Sequence, residues 1–173
     1  MLFRSNDCID LMTHLLRSGL FPDEHGYQNA TDAVEYACRK GTKRGLKVLI
    51  EHGANLKGAI LHAANRRKFD TVRFLIEHGA ELEEGVLQRP VAKGRMDLVR
   101  MLLEYGADAG ELNSRALMSA IRIEHTDMFE LLLQNGAKLD DDVGNECAVI
   151  ARKLGLDSML TLLAGHGVHV SDT

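Results

Sequence analysis

The hexapeptide LIEHGA occurs twice, at 49–54 and 75–80, and its outline keeps returning. It recurs as LLEYGAD (102–108) and LLLQNGAKL (131–139), and in reduced form as LLRSGL (15–20) and LLAGHGV (162–168). The glycines at the centre of these copies are Gly19, Gly53, Gly79, Gly106, Gly136 and Gly167, with spacings of 34, 26, 27, 30 and 31 residues. A period that drifts around ~30 residues is the mark of a repeat architecture, with one supersecondary unit per period. Such a unit cannot bury its apolar face alone. Stability has to come from neighbouring units packed in a nearly one-dimensional array.

Each glycine closes an amphipathic stretch. In FDTVRFLIEHG (69–79), Val72, Leu75 and Ile76 fall at i, i+3 and i+4 and form one apolar face, which predicts an outer helix ending at the glycine. Glycine there takes the left-handed C-cap conformation without a Cβ penalty, and the Ala or Leu after it can pack back on the last turn. Upstream of the outer helices lie runs rich in small residues: AVEYAC (33–38), AILHAA (59–64), ALMSAI (116–121) and CAVIAR (147–152). These predict an inner helix that approaches its neighbours closely. Turns such as KGTKRGL (40–46), KGRMDL (93–98) and LGLDSML (154–160) join inner to outer helix.

An Ala-rich inner helix, a glycine turn, a V/L-V outer helix and then LL-x-x-GA resemble the ankyrin repeat. HAANRRKFDTVRFLIEHGAEL (62–82) and VAKGRMDLVRMLLEYGAD (91–108) carry the pattern best, and the likeness covers essentially the whole chain. The usual TPLH opening is absent, its places taken by DAVE (32–35), AIL (59–61), GVLQ (85–88) and RALM (115–118). Most units are also shorter than the family's, and NLKGA (55–59) and ELEEGV (81–86) are too short for its projecting β-hairpin; only LFPDEHGYQNAT (20–31) has room for one. The expected fold is all-α, an ankyrin-type helical repeat solenoid with an N-terminal half repeat, roughly Asp7 to Ser18, then five helix-turn-helix repeats with mostly shortened hairpin loops. Its single domain, 1–173, divides into units near 1–19, 20–53, 54–79, 80–106, 107–136 and 137–173. Leu49, Leu75, Leu102, Leu132 and Leu163 share one register position and should be buried. Pro90 breaks the local rule within GVLQRPVAKG (85–94), so that inner helix either starts late, near Arg89, or is kinked.

Composition narrows the function. With 45% apolar residues the chain can bury a core, and a net charge of −4 exerts no global pull on nucleic acid or anionic lipid. Cys8, Cys38 and Cys147 lie in no metal-binding spacing and cannot all pair, which points to reduced thiols in an intracellular, cytoplasmic setting where the Asn29-Ala30-Thr31 sequon stays unused. The start MLFRSNDC lacks the apolar run of a signal peptide, and no stretch nears membrane-spanning length. A search for chemistry returns no P-loop, no strand-linked GxGxxG and no GxSxG elbow. His52, His78 and His166 share one repeat position with Tyr105 and Asn135, an exchange that suits a helix end better than a ligand set. Asp140, Asp141 and Asp142 lack the rest of a calcium loop and suit a solvated loop or the first turn of the next helix. No catalytic residue, metal or cofactor is expected.

The charges are the informative feature. Aligned on the glycines, Arg39, Lys40, Lys43 and Arg44 fall at one inner-helix end and turn, and Arg66, Arg67 and Lys68 at the next. Lys93 and Arg95, then Arg122, then Arg152 and Lys153 follow, with Arg89 and Arg115 slightly earlier on their helices. That is fourteen of the twenty-one basic residues, enough to line one edge of a stack. Two accounts compete: cations at the end of an inner helix complement its dipole, or the stripe receives an acidic partner steered to it by the field. Nucleic acid is a weaker form of the second, because no aromatic residues interleave. The ankyrin resemblance implies a protein-binding scaffold, an adaptor or inhibitor, monomeric, that engages its partner through the concave inner-helix face and loop edge. The candidate contact residues are Tyr36, Lys40, His62, Arg66, Arg67, Arg89, Lys93, Arg95, Ser119 and Arg122. The alternative is a targeting or immunity-type module of a larger effector system.

Overall fold

A computed structural model of the chain describes residues 27–170. Its elements are α1 (Tyr27–Lys40), α2 (Lys43–Glu51), α3 (Ala59–Asn65), α4 (Phe69–Glu77), α5 (Gln88–Ala92), α6 (Met96–Glu104), α7 (Glu111–Arg122), α8 (Thr126–Gln134), α9 (Asp141–Leu154) and α10 (Asp157–Gly165). Among the described residues every regular element is helical. Odd-numbered helices are the inner ones of the sequence pattern and even-numbered helices the outer ones. The half repeat before Gly19 lies outside the described residues. Of the segment that had room for a hairpin, Tyr27 to Thr31 belong to α1 instead, and the sequon lies within this helix.

The outer helices α2, α4, α6, α8 and α10 are each nine residues long, whereas the inner helices have 14, 7, 5, 12 and 14. The drift of the repeat period is therefore absorbed before the outer helix, largely in the length of the inner one. What holds the outer helix constant is its end. At Gly53, Gly79, Gly106, Gly136 and Gly167 φ lies between +75° and +97°, in the left-handed region. The glycine N–H then bonds back to the carbonyl three residues earlier, and the next N–H reaches the register leucine, as in Ala54 to Leu49 at 3.0 Å and Ala107 to Leu102 at 2.9 Å. This is the Schellman motif, which satisfies carbonyls that the helix end would otherwise leave bare.

The register leucines are buried as expected: Leu49 is 2% exposed, and Leu75, Leu102, Leu132 and Leu163 are at 0%. Pro90 sits in the first turn of a late-starting α5, where its missing N–H leaves no intrahelical bond unmade. Gly85, expected within that helix, instead has φ +77° in the turn before it. The Glu111 carboxylate, at the start of the following inner helix, accepts its N–H at 2.5 Å.

The chain divides into two compact units, Met1–Glu81 and Leu82–Thr173. Within the first, α1 packs on both α2 and α3, and α3 on α4. Within the second, α7 is central, touching α5, α8 and α9, with α6 on α5 and α10 on α9. Inner helices thus stack on inner helices, and each outer helix covers its own.

Candidate functional site

Local stability places cations at helix C-termini and anions at N-termini. Arg39 and Lys40, in the last turn of α1, obey this. Lys43 and Arg44 do not. They occupy the first turn of α2, which contains no acidic residue, whereas α4, α6, α8 and α10 begin with Asp70, Asp97, Asp127 and Asp157. Arg67 departs in another way. It stands where sister repeats put Gly41, Gly94 and Gly155, and it keeps their left-handed conformation, with φ +59°. For a residue with a Cβ this costs roughly 1–2 kcal/mol. Lys68 follows as the N-cap of α4 with no side-chain bond to the helix, and Thr42 likewise leaves α2 without a side-chain cap. Two helix N-termini and seven exposed cations, Arg39, Lys40, Lys43, Arg44, Arg66, Arg67 and Lys68, therefore belong to the two turns of the first unit.

Of the remaining candidates in this unit, Tyr36 is 62% exposed and Lys40 lies over its ring, 5.7 Å from the centroid. His62 is half-buried, with Nδ1 3.8 Å from Glu35 Oε1, the carboxylate that also pairs with Arg39 at 3.6 Å. Arg66 is the exposed C-cap of α3. Sequence reasoning missed Thr71 and Phe69. Counted back from the glycine caps, Thr71 occupies the buried position that holds Leu98, Met128 and Met159 in the second unit. A hydroxyl among those apolar residues was the available signal.

The second unit dilutes the charge. Arg89, Lys93 and Arg122 are exposed and Arg95 is half-buried as the N-cap of α6. Ser119 is half-buried and donates to the Arg115 carbonyl of its own helix at 3.2 Å, so it is a weaker contact candidate than its position suggested. At the position of Arg67 this unit has Glu124, also left-handed at φ +51°, and its carboxylate accepts from the Ser158 hydroxyl at 2.5 Å. Glu124 thus has a structural bond to the following repeat, whereas Arg67 has no side-chain hydrogen bond or ion pair among the described residues.

Other polar groups have structural roles. His52 and His78 bond through Nδ1 to the carbonyls of Val48 and Phe74, each at 2.8 Å, and Asn135 donates through Nδ2 to Leu131 at 2.8 Å. One device explains why His and Asn exchange at the helix end. His166 differs, meeting Glu130 Oε1 at 2.7 Å. Asp140 caps α9 by accepting from the Val143 N–H at 3.0 Å, and Asp141 and Asp142 form its first turn. Cys38 and Cys147 are buried free thiols, and Cys8 lies outside the described residues. Burial pushes Cys38 up to about 12, with Glu35 adding to it. Burial does the same to Cys147, also to about 12, with Glu146 adding and Arg122 opposing. Thiols held protonated in this way are poor nucleophiles. Iodoacetamide at pH 8 is expected to leave both unmodified in the native protein over a time that fully labels it in urea, read by peptide mass spectrometry.

Paired helices, each outer one closed by a glycine cap, define a helical repeat protein. The family model for ankyrin repeats (3 copies) matches residues 87–173, and the chain belongs to the ankyrin repeat family. Ankyrin repeats are in general protein–protein interaction modules rather than enzymes. No curated protein matches the chain. No helix among the described residues is long and apolar enough to cross a membrane.

Proposed function

We propose that this protein is a non-enzymatic intracellular scaffold, an adaptor or inhibitor, acting as a monomer that binds an acidic protein partner. The turn edge and inner-helix face of the first unit, with Tyr36, Lys40, His62, Arg66 and Arg67, form the centre of the contact, and Arg89, Lys93, Arg95 and Arg122 are the candidates of the second unit. The observation that carries this reading is that cations here oppose local stability. Dipole complementarity accounts for Arg39 and Lys40, but it disfavours Lys43 in the first turn of α2, and it gives no reason for a left-handed Arg67 where glycine is easier. Exposed charge that costs stability is retained for an opposite charge on something else, and it raises association rates as well as specificity.

The test is charge reversal. Arg66, Arg67, Lys93 and Arg95 are changed together to Glu, and affinity for a captured partner is measured across a salt series. Affinity should fall at least tenfold and the salt dependence flatten, while the urea midpoint stays within the range of surface substitutions. Unchanged affinity and salt slope in the folded variant would remove the reading.

A further inference from the structure

We propose that the cavity at the turn edge of the first unit is a receptor for a phosphate monoester dianion carried by the partner protein. This rests on the turn edge being the docking surface, and names the chemistry it recognises. The cavity, about 360 Å³, is lined by Gly41, Lys43, Arg67, Lys68, Phe69, Asp70 and Thr71. That is room for a phosphoryl group and the side chain bearing it. Its lining holds three cations against one carboxylate, Asp70.

Thr71 is the observation that points to a ligand. It is 2% exposed, in a register position that holds Leu or Met throughout the second unit and Gly45 in the neighbouring repeat, yet its hydroxyl has no hydrogen-bond partner among the described residues. No sealed side-chain polar atom among them lacks a partner, so this hydroxyl opens onto the cavity it lines. It points toward Gly41, with Oγ1 3.5 Å from where a Cβ would stand. Glycine there also lets the Lys68 stem cross, since its Cδ would be 3.1 Å from that Cβ.

The donors suit a phosphoryl group better than a carboxylate. Arginine presents a planar fork to two oxygens, the lysines supply point charges, and the Thr71 hydroxyl and the uncapped first-turn N–H groups of α4 remain for a third oxygen. A dianion with three acceptor oxygens uses this set, whereas a single carboxylate leaves part of it unmet and must still offset the repulsion of Asp70. Arg67, in its strained left-handed conformation, contributes a side chain to the lining of the cavity where glycine would supply none.

The test titrates the full-length chain with N-acetyl-phosphoserine methylamide, following amide shifts at constant ionic strength. Saturable shifts at Phe69, Asp70 and Thr71, absent with the unphosphorylated compound, are expected. Arg67→Gly, which keeps the residue type of the sister turns, should weaken binding at least tenfold. Thr71→Val, close in shape, should weaken it severalfold, and Asp70→Asn should strengthen it. Linear shifts spread over all basic residues, or an unchanged dissociation constant in Arg67→Gly, would overturn the assignment. So would tighter binding of inorganic phosphate, or of vesicles containing phosphatidylinositol 4-phosphate, than of phosphoserine. If charge reversal abolishes partner binding while phosphatase treatment of the partner leaves it intact, this inference fails and the acidic-partner reading stands. If phosphoserine binds as described but charge reversal leaves the partner's affinity unchanged, the cavity's chemistry stands and the docking surface lies elsewhere.

Discussion

Leu102→Ala should destabilise the protein by about 2–5 kcal/mol, and Leu163→Ala by less. Burial does not separate the two, since both side chains are at 0% exposure. The difference lies in what a cavity does to its surroundings. Leu102 is in the last turn of α6, between Leu98 and Val99 one turn earlier and the cap at Ala107, all buried. Removing its side chain loosens the leucine whose carbonyl anchors the Schellman turn. Leu163 is in α10, the last described helix, and an array whose terms are nearest-neighbour can open its end without opening the rest. Urea melts followed by circular dichroism measure both. A loss under about 1 kcal/mol at Leu102 would mean that the glycine register does not mark the core, since buried Leu→Ala changes seldom cost so little.

That register was the most legible part of the sequence, and the reason is physical. An outer helix must bury a leucine and end at a glycine, so two residue types fix its phase, and five helices of nine residues follow. Inner helices have no comparable punctuation. Their starts depend on long-range bonds such as Gly85 to Glu111, 26 residues away, and on turns that one sequence window does not reveal. The candidate site divides in the same way. Which turns are basic was readable from the glycine alignment. What that basicity opposes was not, because Arg67 shows its strain only as a dihedral angle and Lys43 its unfavourable position only once the start of α2 is known. Thr71 was overlooked because a threonine in an amphipathic stretch reads as neutral unless the repeats are aligned at that position, and its 2% exposure makes the hydroxyl an anomaly.

The same dihedral gives the second large effect, with opposite signs at two turns. Gly106→Ala should cost on the order of 1 kcal/mol, since the left-handed region penalises a Cβ by roughly 1–2 kcal/mol and reduced freedom of the unfolded chain returns part of that. At Gly106 the penalty is isolated: φ is +92°, and a Cβ would meet no atom within 4 Å, so packing plays no part. Gly165→Ala is the control. It lies in α10 without a positive φ and also has open space, so alanine should stabilise it by about 0.5–1 kcal/mol. Arg67→Gly reverses the substitution at an occupied left-handed position and should raise stability by up to about 1 kcal/mol. Equal stability of Gly106→Ala and the parent would show that the cap does not need its glycine. A more stable Arg67→Gly that also loses the phosphoserine shifts would show stability and recognition opposed at one residue, and so account for arginine where three sister repeats have glycine.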